Sequence, residues 1–269
     1  FFKKKVRGKK KTKYRESDFL HLIYCKSLLN YHKYIIVENF LLPKKAERII
    51  ILQRIELADL YIKKLRKIFG RYIFSNLITR YFLNSAKVGK AYYEAMLKEY
   101  LTIEKYISEK DNLFLSIGSG IGGLEVIINN KIKNKSFYFI ERNYISKKVK
   151  YGWGGTLNKE AYNTFDLQRS FLEMNKVEKE QINLFDYDKD KFPIIKFDII
   201  TSLFSLDYHY DFNLYVDYLK KVSTTETKIV FDTIRAEYFK KIFKNVNVIS
   251  TDKDTVHKSK RIICSNFIN

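Results

Sequence analysis

The run LFLSIGSGIGGLEVI, residues 113–127, constrains the fold more than any other stretch of the chain. A short apolar run leads into Gly118, Gly120, Gly122 and Gly123 and leaves through a helical pattern. A strand that ends in a glycine turn and opens a helix is the start of a βαβ unit. Glycine there permits positive φ and lets backbone N–H groups approach a ligand closely. The following helix N-terminus turns its positive dipole end toward the same spot. The expectation is an open α/β sheet with a ligand crevice at the C-terminal ends of its strands.

The rest of the C-terminal half has the matching texture. Apolar β-like runs fall at Leu113–Ile117, Phe137–Ile140, Ile182–Phe185, Phe197–Phe204, Thr227–Asp232, Val246–Ser250 and Arg261–Phe267. Helical patterns lie between them at Gly122–Asn129, Tyr162–Asn175, Asp211–Val222 and Ala236–Lys244. Near-continuous apolar strands alternating with helices predict a mostly parallel sheet covered on both faces. The polar link Thr251–Lys258 is short enough for a hairpin, which predicts an antiparallel strand at one edge. The fold expected is Rossmann-like and seven-stranded.

Before Asp111 the texture is helical. Phe19, Leu22 and Ile23 begin one apolar stripe; Ile49, Leu52, Ile55, Leu60, Ile62 and Leu65 form another after Pro43; Tyr92–Ile107 gives a third. Residues 1–110 are therefore expected to form a helical N-terminal subdomain and residues 111–269 the α/β domain. The N-terminal part holds 26 Lys and Arg against 10 Asp and Glu, in a chain of net charge +21. Such a field suits a polyanion: nucleic acid such as RNA, an anionic membrane surface or a phosphorylated substrate. A coding bias toward Lys, Ile, Asn and Tyr produces the same excess with no partner at all. Cys25 and Cys264 are far apart in sequence and suggest a reducing, cytoplasmic setting.

Two acidic residues join the glycine turn. Glu141 ends the second apolar run about 20 residues beyond the turn, where a carboxylate accepts hydrogen bonds from both hydroxyls of a ribose. Asp186 ends the third, within reach of an adenine amino group. With these residues in place the C-terminal half resembles the class I S-adenosylmethionine-dependent methyltransferases. Ser116–Gly122 corresponds to their first motif, and the run from Asp198 to Phe204 to their fourth strand. The resemblance implies S-adenosyl-L-methionine as cofactor, held by Ser116, Gly118, Ser119, Gly120, Gly122, Glu141, Asp186, Tyr187 and Leu203.

A finer resemblance, to bacterial sugar O-methyltransferases, rests on Tyr151-Gly-Trp, Ala161-Tyr-Asn-Thr and Ser202-Leu-Phe-Ser-Leu-Asp-Tyr-His-Tyr. Asp211 stands where that group has Pro, and Ser223-Thr-Thr-Glu-Thr replaces its glycines. It implies a polar, sugar-like acceptor facing Trp153, Asn163 and Tyr208. A hydroxyl acceptor needs a base near the methyl group, and His209 is the first candidate, with Asp207 the second. No spacing of His, Cys or acidic residues indicates a metal site. The competing expectations are an RNA methyltransferase that grips nucleic acid through residues 1–110, and a non-catalytic binding subunit on the same fold.

Overall fold

In the computed structural model the described residues are 39–146, 161–208, 210–251 and 258–268, all within one compact unit, Asn39–Asn269. Nine strands are placed: β1 Leu113–Ile117, β2 Ser136–Glu141, β3 Tyr144–Ile145, β4 Tyr162–Asn163, β5 Ile182–Asp186, β6 Ile199–Ser202, β7 Lys228–Thr233, β8 Phe243–Thr251 and β9 Lys260–Phe267. The longer α-helices that accompany them are α1 Ala46–Gln53, α2 Leu60–Ile73, α3 Ser85–Ile103, α4 Gly123–Lys131, α5 Phe165–Met174 and α6 Val216–Val222, with a single further turn at Thr79–Tyr81.

Seven strands form one sheet in the order β5-β2-β1-β6-β7-β9-β8. The first five are parallel, and β9 is antiparallel to both β7 and β8. This is the Rossmann-like sheet with an antiparallel edge that the sequence implies. Period-two alternation puts every central strand into two cores. Phe114, Phe137, Phe139, Ile199 and Val230 enter one core with Phe171 and Leu172 of α5. Leu115, Ile140, Ile200, Phe231 and Ile262 enter the other with Phe212 and Leu219.

The first core runs without a break into residues 39–110. Ile49 and Ile50 of α1 and Val88, Tyr92 and Met96 of α3 are buried in it beside Ile121 of the glycine turn and Leu124 of α4. The described helices before residue 110 thus help to cover one face of the sheet. The stripe after Pro43 forms two helices rather than one. It stops at Arg54, whose φ of −135° and ψ of 76° leave the helix, and it resumes at Leu60. The patterns over Tyr162–Asn175 and Ala236–Lys244 are shorter as helices than as sequence. Tyr162 and Asn163 pair with Ile145 and Tyr144 as a small antiparallel ladder. Ala236–Lys241 is a tight 3-10 turn, and Phe243 enters β8 because its ring packs on Phe212 and Phe267.

Candidate active site

The glycine turn sits where β1 ends. Gly118, Gly120 and Gly122 all have positive φ, at 70°, 66° and 88°. Neighbouring side chains press on them as well. A Cβ at Gly118 would overlap the buried Ser205 side chain, and one at Gly120 would lie 2.5 Å from Gln53 Oε1. At Gly122 it would lie 2.9 Å from Leu172 Cδ2, and at Gly123 2.6 Å from Tyr92 Oη. The glycines are therefore required by handedness and by the packing of the turn. The Tyr92 hydroxyl accepts the Gly123 N–H at 3.1 Å, so α3 braces the start of α4.

Glu141 reaches the turn from the end of β2. Its Oε1 accepts the Gly120 N–H at 2.6 Å, and the Ser119 hydroxyl lies 3.5 Å away. Burial pushes the Glu141 carboxyl up to about 8, although the Gly120 bond favours its charged form. Asp186 is in direct register with Glu141 on the neighbouring strand β5. It is buried, and its Oδ1 accepts the Asp188 N–H at 3.1 Å. Tyr187 follows, its N–H donated to the Glu141 carbonyl at 2.8 Å and its ring under the Arg142 guanidinium at 5.0 Å. Arg142 also pairs with Asp188 at 3.2 Å. The structure thus brings Gly118, Ser119, Gly120, Gly122, Glu141, Asp186 and Tyr187 to one edge of the sheet.

Ser116 lies beneath this edge. Its hydroxyl donates to Glu125 on α4 and lies 2.9 Å from Thr201 Oγ1. Glu125 is almost wholly buried, and its Oε2 has no hydrogen-bond partner among the described residues. Burial raises its carboxyl to about 7. Asn163 is buried as well. Its amide donates to the Gly120 carbonyl at 2.9 Å and to Gln168 Oε1 at 2.8 Å. Read from sequence as facing an acceptor, Asn163 is placed here as a fastener of the glycine turn.

The end of β6 forms the other wall. Ser202 Oγ donates to the Ile117 carbonyl at 2.7 Å and accepts the Leu206 N–H at 2.9 Å, which ties the β6 turn to β1. Leu203 packs against the first core. Phe204 has φ 53°, and the guanidiniums of Arg54 and Arg261 lie over its ring, 5.4 and 5.5 Å from the centroid. Arg261 makes a buried two-point pair with Asp232, 3.0 Å on each side, and Asp232 also accepts the Phe204 N–H. Tyr208 stands edge-on to Phe204 at 5.5 Å.

The Asp207 carboxylate is almost wholly buried. It takes the Thr233 hydroxyl at 2.5 Å and the Arg235 guanidinium through Nε and Nη2. It is held in an ion pair at the base of the turn. Trp153 and His209 lie outside the described residues. Among the described residues no group of three or more His, Cys or acidic side chains is placed to hold a metal ion.

Gln53, Tyr92, Glu125, Gln168, Arg54 and Arg261 were not singled out from the sequence. Each acts through a partner on another element of the fold, and no local pattern marks such a pairing.

No family model matches the sequence, and no curated protein matches it. Solved structures with partly similar architecture include a precorrin-6y C5,15-methyltransferase from Geobacter metallireducens. It is 14% identical with a TM-score of 0.38, over 68% of this chain and 88% of that one. A Bacillus subtilis tRNA methyltransferase is 14% identical, TM-score 0.40, over 63% and 65% of the two chains. The StiE O-MT is 10% identical, TM-score 0.45, over 77% and 81%.

Proposed function

We propose that the chain is an S-adenosylmethionine-dependent methyltransferase acting on a hydroxyl of a sugar or a similarly polar small molecule. The observation that carries the donor assignment is the placement of Glu141. Its carboxyl meets the Gly120 N–H at the end of β2 and is in register with Asp186 at the end of β5. Two carboxyls on adjacent strand ends beside a glycine turn fit the hydroxyls of a ribose and the amino group of an adenine. The sheet supports the same choice. Its far edge is antiparallel, whereas the dinucleotide-binding order 3-2-1-4-5-6 is built from parallel strands.

The residues present fit this cofactor. Glu141 would accept from the ribose, Asp186 from the adenine, and the ring of Tyr187 would lie along the base. When bound, the cofactor supplies a methyl group already activated on a sulfonium centre. The protein's part is then orientation and exclusion of water. Ser202 and Asp232 hold the β6 turn, and Asp207 with Arg235 anchors the chain just before Tyr208. His209 is proposed to take the proton from the acceptor hydroxyl as the new O–C bond forms.

Isothermal calorimetry on the full chain tests the donor, with saturable one-to-one binding expected. Absence of any heat at millimolar cofactor sinks the reading. Transfer of labelled methyl to sugars and related polyols tests the acceptor. Label found in RNA and in none of the hydroxylated small molecules would replace it.

A further inference from the structure

We propose that the surface running from Leu60 through Phe82 docks on an anionic phospholipid bilayer. This goes beyond methyl transfer and does not depend on it.

The surface is unusual in what it exposes. Leu60, Ile68, Tyr72 and Tyr81 are 77%, 73%, 75% and 72% exposed, and Tyr61, Phe69, Ile73, Leu77 and Phe82 join them. None of these is needed for the core, because Ile62, Phe74 and Ile78 supply the buried side of the same segment. Helical spacing places Leu60, Lys64, Lys67 and Ile68 along one outward stripe of α2. Between Leu60 and Phe82 there are six Lys and Arg and no Asp or Glu. Beyond Gly70, whose φ of 74° and ψ of 174° break the helix, the apolar exposure continues.

An apolar stripe studded with cations fits the boundary between lipid headgroups and acyl chains. Among the described residues no helix is long and apolar enough to cross a membrane, so this one would lie in the surface. Charge argues against the other occupants. A second copy would set its own Lys64 and Lys67 against the Lys64 and Lys67 of the same stripe. Residues 1–38 carry 11 Lys and Arg against 3 Asp and Glu and are no better a complement. RNA would match the charge and the tyrosines. The exposed aliphatic groups Leu60, Ile68, Ile73 and Leu77, however, have no ring to stack on a base.

The test is co-sedimentation of the full chain with vesicles of phosphatidylcholine alone and with about 30 mol% phosphatidylglycerol, enough to set up an anionic surface potential. Binding is expected on the anionic vesicles and at least roughly tenfold weaker on the neutral ones. Ile68→Asp with Tyr72→Asp, at exposed positions that leave the core untouched, should abolish it. Lys64→Gln with Lys67→Gln should weaken it roughly 25-fold, about fivefold for each cation lost near the lipid surface. Circular dichroism of each variant checks that it is folded. Equal binding by the folded apolar variant overturns the proposal. So does a dimer that this variant converts to monomer without change in vesicle binding, and so does binding of RNA in place of vesicles.

Discussion

Replacing Glu141 with Gln isolates the group on which the donor assignment rests. The amide in Glu141→Gln would retain an oxygen for the Gly120 N–H, so the glycine turn keeps the 2.6 Å contact that shapes it. What the variant loses is a charged acceptor for two ribose hydroxyls. Hydrogen bonds to a charged group contribute about 1.5–3 kcal/mol each and neutral ones about 1 kcal/mol. An amide oxygen already engaged by Gly120 replaces both charged bonds with one neutral bond at best. The expected net loss is about 2–5 kcal/mol, or roughly 30- to 5,000-fold in Kd for S-adenosylmethionine.

The wild type should also carry a pH signature. Burial holds the free carboxyl at about 8, so below that pH it is mostly protonated. Ribose hydroxyls donate to the carboxylate, so binding favours the deprotonated form and pulls the carboxyl down. Affinity should therefore climb as pH rises from about 6 to about 8 and level off above. The gain is roughly tenfold per pH unit over the part of that window the bound group vacates. Calorimetry near pH ~6.5 in two buffers of different ionisation heat should show close to one proton released per cofactor bound. Glu141→Gln should bind with no such pH dependence and no proton release. A change in Kd below about threefold at pH ~8.5, together with a flat wild-type profile, would refute the assignment of Glu141 to the ribose.

Four further outcomes follow from the same geometry. The carboxyl of Glu125 is raised to about 7 from an ordinary value of 4.5, so the native state keeps a proton that the unfolded chain releases. Stability contributed this way is present near pH 4.5 and lost as pH rises to 7, and chemical denaturation should show Glu125→Gln gaining up to about 3 kcal/mol at pH ~8 and almost nothing near pH 4.5. Gly118→Ala should destabilise by about 2–4 kcal/mol, from left-handed strain and the clash with Ser205, and Ser205→Gly should restore only the clash part in a double-mutant cycle. Asp207→Asn should lower stability by about 1–2 kcal/mol through the Arg235 and Thr233 contacts, and a variant as stable as wild type would remove that role. His209→Ala should leave cofactor affinity unchanged and sharply lower turnover, and undiminished turnover would take His209 out of the reaction.

What was legible in the sequence was whatever is encoded locally. Strand runs such as Leu113–Ile117 and Phe137–Ile140 announce themselves because both faces are buried, and the glycine turn does so because three of its residues need positive φ. Chain order then leads from Glu141 to Asp186, since parallel strands bring their C-terminal ends to one edge. Partnership across the fold is not encoded locally. The stripe of α3 marks an apolar face but not what covers it, and only the folded chain places Tyr92 against Gly123 and Gln53 against Gly120. Asn163 shows the same limit. Its neighbourhood in sequence reads as the start of a helix, facing an acceptor, yet pairing with Tyr144 turns its amide inward onto the carbonyl of Gly120.

These hidden partners share a physical consequence. Tyr92, Asn163 and Glu141 satisfy backbone groups of the glycine turn from three directions, at 3.1, 2.9 and 2.6 Å. A turn with three left-handed glycines has a large conformational entropy to lose on ordering, and side-chain bonds from a rigid scaffold supply that order before any ligand arrives. Two of its supports are also carboxyls, the half-buried Glu141 directly and the buried Glu125 through Ser116, and loss of solvent raises both. The free protein therefore holds excess protons beside its site, and an incoming group that donates hydrogen bonds to Glu141 would displace one of them. Coupling between cofactor and proton follows from burying that acid against the turn, whichever hydroxyl the methyl group finally reaches.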